Sequence, residues 1–192
     1  TIAIQAGLSQ ISEALGKSIE EIVQSCDLCI NGTTVALNAL IEKKGVKVGL
    51  LCTSGHEDSL EIRLGHKEEG YRYEADFPPA HMIAPRHLRK PINERVLSNS
   101  QIDQAMDEQE IRQAVEYFKA QGVESIAISF VWAVRNPEHE KRAKEIVQEM
   151  MPGVFVCTGS EVYPQVREYT RTSTTVVNAY LSPVMRRYVE KI

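Results

Sequence analysis

Val123 to Trp132 (VESIAISFVW) is the stretch that decides the fold class. From Ile126 the run is almost continuously apolar, which is the pattern of a strand covered on both faces rather than one with a wet side. Helical segments flank it. Upstream, Asp107 is placed to cap a helix through Gln121, with Ile111, Ala114, Val115 and Phe118 on one stripe and Gly122 as terminator. Downstream, Asn136-Pro137 opens a helix to Met151, Pro152-Gly153 closes it, and Val154 to Cys157 (VFVC) reads as another short strand. Strands separated by helices of this length need crossover connections. The expected class is therefore α/β, with a mostly parallel sheet and crossover helices.

The same alternation extends toward the N-terminus. Ile4, Leu8, Ile11 and Leu15 keep a helical spacing within Ile2–Leu15, and Ser18 starts a second short helix after Gly16. Cys26 to Ile30 reads as a short buried strand that turns through Asn31-Gly32-Thr33-Thr34 into a helix closed by Lys43, Lys44 and Gly45. Val46 to Cys52 (VKVGLLC) is the next strand, ending at Thr53-Ser54-Gly55. From His66 to Arg89 neither period holds, and residues 66–90 read as a long irregular arm. Ile92, Glu94 and Val96 alternate as in a strand through Leu97. From Glu168 onward a long helix is expected, interrupted at Pro183, and residues 167–192 read as a helix leading to a further domain.

Composition excludes several classes of function. Lys plus Arg total 22 against 26 Asp plus Glu, and a net charge of -4 gives no basis for a nucleic-acid binder. No apolar run reaches the ~18 residues that span a bilayer, and no basic stretch leads into an apolar leader. A cytoplasmic setting without membrane contact is expected. Cys26 and Cys29, three apart in the expected strand, would point to opposite faces, which favours buried reduced thiols over a zinc pair. The five histidines show no i, i+4 pair on a helix, so no metal centre within the chain is expected, although His66 and His81 on the arm can serve a larger site. The basic run Arg86 to Arg95 (RHLRKPINER) reads first as a solvated loop, with an anionic ligand or a subunit contact as the sharper alternative.

Two segments carry candidate chemistry. Gly32, Thr33 and Thr34 sit where a strand would enter a helix, a junction that presents backbone N–H groups to an anion; Thr33 or Thr34 serves equally as a helix cap. The segment is not a P-loop, because no Gly-Lys-Ser/Thr follows. The second segment is Arg167, Glu168 and Arg171 in a hydroxyl-rich stretch, with the two arginines one helical turn apart and Glu168 able to pair with either; a solvated or interface helix is the plainer reading.

Four blocks carry a resemblance to a known family: Asn31–Gly45 (NGTTVALNALIEKKG), Val48–Ile62 (VGLLCTSGHEDSLEI), Gly122–Val147 (GVESIAISFVWAVRNPEHEKRAKEIV) and Ser160–Val184 (SEVYPQVREYTRTSTTVVNAYLSPV). In this order they resemble the N-terminal domain of the hydantoinase/oxoprolinase family, which is found in N-methylhydantoinases, 5-oxoprolinases and ketone carboxylases. The resemblance covers nearly all of residues 1–192, and the segment between the second and third blocks looks more like the acetone carboxylase branch. Where this chain has Asn31 the family commonly has His, so any imidazole role there is missing.

The resemblance implies an actin-like ATPase (ribonuclease H-like) domain fragment. Family members open with an Asp-x-Gly-Gly-Thr turn that resembles a first phosphate-binding loop; no such turn occurs here, and the isolated piece is expected to be inactive. For the longer parent it implies ATP with Mg2+, a small-molecule substrate, other subunits of a multisubunit enzyme, and activation of a carbonyl by phosphorylation for cyclic-amide hydrolysis or ketone carboxylation. It raises Gly32, Thr33 and Thr34 as cofactor-binding residues and makes Arg167, Glu168 and Arg171 candidates for a site wall. The rival expectation is a non-catalytic assembly domain that docks a partner subunit through the arm.

Overall fold

The computed structural model describes residues 2–28, 30–62, 69–73 and 82–191. Cys29, His66, His81 and parts of the expected arm lie outside the described residues. The chain divides into two compact units, one of residues 1–44 with 184–192 and one of residues 45–183.

The smaller unit is helical: α1 (Ile2–Leu15), α2 (Ile19–Ser25) and α3 (Val35–Ile41), with the end of a helix that closes the chain. A capping box starts α2. Ser18 Oγ accepts the Glu21 N–H at 3.2 Å and the Glu21 carboxylate accepts the Ser18 N–H at 2.8 Å. The strand expected at Cys26 to Ile30 is not formed. Cys26 is exposed rather than buried, and Leu28 and Ile30 stand 74% and 84% exposed. A strand needs a laddered neighbour for its N–H and C=O groups, and among the described residues every strand lies in the other unit. Gly32, Thr33 and Thr34 therefore do not follow a laddered strand.

The larger unit contains β1 (Val48–Thr53), α4 (Ser59–Ile62), β2 (Arg89–Ile92), β3 (Arg95–Val96), β4 (Ile102–Gln104), α5 (Glu108–Ala120), β5 (Ser125–Ser129), α6 (Glu138–Met150), β6 (Phe155–Thr158) and α7 (Gly159–Val162). The last helix, α8 (Glu168–Val189), belongs to this unit as far as Pro183. Four strands form a fully parallel sheet in the order β2-β1-β5-β6, and β3 and β4 make a small antiparallel pair. The α/β class and the crossover helices follow the sequence reading. Every residue of β5 is buried, and Asp107 caps α5 by accepting the Gln109 N–H at 2.8 Å.

Register fixes which side chains meet which layer. Gly49 and Leu51 on β1 align with Ile126 and Ile128 on β5, and these join Ile111, Val115 and Phe118 of α5 and Ile146 and Val147 of α6 in the main core. The opposite face of β5 and β6 meets α8: Ser129 Oγ lies 2.8 Å from Thr172 Oγ1, and the Cys157 thiol donates to the Thr175 carbonyl at 3.5 Å. The sheet is thus sandwiched between α5/α6 and α8.

Three expectations change here. The strand expected over Ile92–Leu97 is split, because pairing with β1 ends at Ile92 and Arg95 and Val96 pair with β4 instead, while the Asn93 N–H between them donates to Glu110 at 2.6 Å. The inward alternation of Ile92, Glu94 and Val96 survives the split, and all three are buried. Arg89, assigned to an irregular arm and a solvated basic loop, is instead the first residue of β2 and is 1% exposed. Its guanidinium donates to the Ala84 carbonyl at 2.8 Å, the Glu57 carbonyl at 3.0 Å and Glu61 at 3.1 Å. Finally, α8 continues through Pro183 rather than stopping there.

Candidate functional site

The strand order places a switch point between β1 and β5. From β1 the chain first adds β2 on one side, then crosses to add β5 and β6 on the other. In parallel α/β sheets the crevice at the carboxyl ends of such strands is where ligands bind. Polar side chains gather at that edge.

Thr53 ends β1 and is 1% exposed. Its Oγ1 accepts the Val131 N–H at 2.9 Å, joining the ends of β1 and β5, and its hydroxyl donates to one oxygen of the Glu94 carboxylate. The other Glu94 oxygen lies 2.8 Å from His139 Nδ1. Glu94 follows β2 and His139 sits in the first turn of α6, so the chain Thr53–Glu94–His139 ties three elements together.

A second group lies beside it, because Glu140 is the next residue on α6. Glu140 is fully buried and accepts the Phe130 N–H at 2.9 Å and the Ser160 N–H at 2.8 Å. Burial pushes its carboxyl above the usual range, opposed by those hydrogen bonds and by the nearby Arg171 charge. Arg171 is 1% exposed and donates to the Phe130 carbonyl and the Gln165 carbonyl, each at 2.9 Å. Burial lowers the guanidinium's proton affinity, with Glu140 and Glu168 acting the other way. Among the described residues, Arg171 Nε is a buried polar atom without a hydrogen-bond partner. Gly159 permits this close packing, since a Cβ there would lie 3.1 Å from the Arg171 side chain.

The three candidate wall residues thus differ in place. Arg167 is exposed, holds φ 87 and precedes α8; Glu168 is half-buried; Arg171 faces inward and is committed to two carbonyls. Arg171 is not a surface cation, and the sequence spacing could not show this because its partners lie up to 41 residues away.

Gly32, Thr33 and Thr34 lie exposed in the helical unit. Thr33 Oγ1 accepts the Val35 N–H at 3.2 Å, and Thr34 Oγ1 accepts from Asn38 Nδ2 at 3.3 Å, so the cap reading suits Thr33 although Thr34 is the residue preceding α3. Asn31 donates from Nδ2 to the Tyr188 hydroxyl at 3.1 Å. Hydrogen bonds from Asn31 and then Thr33 hold the Tyr188 phenol below its usual pKa. Tyr188 is a contact that sequence reading missed.

The missed residues had one legible signal. Glu94 falls in the inward register of an alternating strand, where a charge needs a buried partner. Nothing local marked Thr53 or His139 as that partner. The basic run Arg86 to Arg95 is largely consumed internally: Arg86 pairs with Asp58 at 2.5 Å, Arg89 is buried, and Lys90 Nζ sits 3.5 Å from the Tyr117 ring centroid. Among the described residues no group of three or more His, Cys, Asp or Glu side chains can hold a metal, and no helix is long and apolar enough to cross a membrane.

A parallel sheet flanked by crossover helices, with buried charged groups clustered beyond its strand ends, defines an α/β domain in class. The chain belongs to the family described as hydantoinase/oxoprolinase N-terminal region, whose model matches residues 2–151. It is 66% identical over its whole length to the caprolactamase subunit alpha of Pseudomonas jessenii, of which it spans 28%. It is 33% identical to the acetophenone carboxylase gamma subunit of Aromatoleum aromaticum, matching 96% of this chain and 26% of that one. Among solved structures, the ATP-dependent caprolactamase from Pseudomonas jessenii matches with a TM-score of 0.90 at 66% identity, over 100% of this chain and 28% of that one. A nucleotide-free acetone carboxylase matches with a TM-score of 0.71 at 28% identity, over 80% of this chain and 23% of that one.

Proposed function

We propose that this chain is part of a subunit of an ATP-dependent enzyme that opens a cyclic amide by activating its carbonyl through phosphorylation. The carrying observation is the 66% identity, over the full 192 residues, to the caprolactamase subunit alpha. The sequence leaned toward the acetone carboxylase branch; identities of 66% to the caprolactamase subunit against 29% to the acetone carboxylase beta subunit of Xanthobacter autotrophicus favour the lactam branch instead. Those relatives are named as subunits, which supports the expectation of partner subunits.

The glycine-threonine turn fits a phosphate group in one respect. Gly32, Thr33 and Thr34 are exposed, and among the described residues no hydrogen bond occupies their backbone N–H groups. ATP with Mg2+, when bound, supplies the phosphoryl group that makes the amide carbonyl reactive. In this reading Gly32 leaves room for the anion, Thr33 and Thr34 hold the turn, and the Asn31–Tyr188 hydrogen bond steadies it. Within the larger unit, Arg167 and Glu168 are taken as part of a site wall that Arg171 braces from inside.

The test uses the full-length subunit assembled with its partners. Phosphate release is measured with ATP alone, with ATP and a seven-membered lactam, and with ATP, acetone and bicarbonate. Lactam-dependent ATP hydrolysis accompanied by the ring-opened amino acid is the expected result. Ketone-dependent hydrolysis, or none with either substrate, overturns the reading.

A further inference from the structure

Glu94 and His139 are buried at 2% and 6% exposure, and neither is needed to explain phosphate binding. A carboxylate only accepts hydrogen bonds. The Thr53 hydroxyl therefore donates to one Glu94 oxygen, and His139 Nδ1–H donates to the other across 2.8 Å. The Thr53 hydroxyl oxygen is itself engaged by the Val131 N–H at 2.9 Å, so the hydroxyl cannot turn away from Glu94. This fixes the ring. With the proton on Nδ1, a neutral imidazole carries its lone pair on Nε2.

Among the described residues, Nε2 has no hydrogen-bond partner, and it is not among the fully buried orphan atoms. Some 8% of the His139 side-chain surface stays open. The ring stands at the start of α6, beside the ends of β1 and β5, where the strand order reverses. A carboxylate that orients one ring nitrogen leaves the other as a directed acceptor or ligand.

We propose that His139 presents Nε2 as a hydrogen-bond acceptor at the switch-point crevice, and that Glu94 and Thr53 are positioning residues that set its tautomer. The group it receives is a neutral N–H or O–H donor of the reacting pair, either the lactam amide or water. The proposal rests on the lactam-opening reading above and adds to it a residue that contacts the reactants.

The discriminating variant is His139→Asn in the full-length assembled subunit. An Asn side-chain amide occupies the place of Nδ1 and still donates to Glu94, but nothing takes the place of Nε2. If the imidazole only satisfies Glu94, this variant behaves as wild type. The expected result is a kcat lower by about 10-fold, the loss of one hydrogen bond to the reactants, with an unchanged KM for ATP and an unchanged thermal midpoint. If the donor is water, lactam-free ATP hydrolysis falls together with lactam turnover; if it is the lactam amide, only lactam-dependent turnover falls. Wild-type kcat in His139→Asn overturns the proposal.

A second measurement does not depend on turnover. Nitrogen-15 spectra of histidine-labelled protein are expected to show His139 as the Nδ1–H tautomer, and Glu94→Gln is expected to shift it toward Nε2–H. An Nε2–H tautomer in the wild type overturns the proposal. Absence of ATP-dependent turnover in the wild type defeats the lactam-opening reading and with it the role at the reactants, while the spectra still decide whether Glu94 sets the tautomer.

Discussion

Arg171 Nη2 donates to the carbonyl of Phe130 at 2.9 Å, and the N–H of that same Phe130 is accepted by Glu140, also at 2.9 Å. One residue at the end of β5 therefore stands between two buried opposite charges. Removing one partner leaves the other buried and uncompensated, which is the costly way to disturb such a pair. Arg171→Met is expected to lower stability by on the order of 3 kcal/mol in urea unfolding, and Arg171→Met with Glu140→Gln is expected to lose less than the sum of the single changes. Strict additivity would show that the two charges do not interact.

Gly45→Ala should destabilise the protein, whereas Gly32→Ala should leave its stability unchanged. A Cβ on Gly45 would lie 2.2 Å from the Tyr180 ring, which is only 7% exposed and has little freedom to yield. Gly45→Ala is expected to destabilise by about 1–3 kcal/mol, the usual range for overpacking. At Gly32 nothing lies within 4 Å of the added methyl, and Gly32→Ala should stay within about 0.5 kcal/mol of wild type in the same unfolding assay. Any loss of ATP affinity in the second variant then reports on the turn and not on folding. A destabilised Gly32→Ala would refute the open environment of that turn.

Thiol chemistry should separate the cysteines. Burial, the largest effect, pushes the Cys52 thiol up to about 12 and the Cys157 thiol up to about 11, whereas Cys26 is exposed. At a pH of about 8, roughly one Cys52 in ten thousand is a thiolate, the reactive form. Alkylation followed by mass spectrometry should label Cys26 in the native protein and reach Cys52 and Cys157 only after unfolding. Fast native labelling of Cys52 would mean that β1 is not buried as described.

The surface pairing of α5 with α6 gives a pH-dependent signal. Arg142 grips both Glu108 oxygens, at 2.8 and 2.9 Å, and this fork holds the Glu108 carboxyl below the usual range. A carboxyl whose folded pKa is depressed contributes stability above its unfolded pKa, and that contribution disappears as pH falls through the folded value. Arg142→Ala should raise the Glu108 pKa in an NMR titration. The change in global stability should be small, because the pair is solvent-screened. An unmoved Glu108 titration would show that the fork is not populated in solution.

Local signals decided most of the larger unit before any coordinates. Asp107 and the Ile111, Ala114, Val115, Phe118 stripe determined α5, and the apolar run from Ile126 determined a strand covered on both faces, because capping and periodicity act within one or two turns of the residue that carries them. Where the local signal was a short apolar run, it misled. Cys26 to Ile30 has the composition of a strand, but its described residues pair with no ladder, and Cys26, Leu28 and Ile30 stand in solvent.

The candidate site was the reverse case. The sequence alone determined the α/β class, the crossover helices and the family blocks, since these rest on spacing along the chain; the strand order came only from the structure. Only the tertiary structure decided that Thr53, Glu94 and His139 meet, that Arg89 and Arg171 point inward, and that Asn31 reaches Tyr188, 157 residues away. Polar partners of this kind are selected by the geometry of the strand ends and helix starts that bring them within hydrogen-bond reach, and sequence separation carries no trace of that geometry.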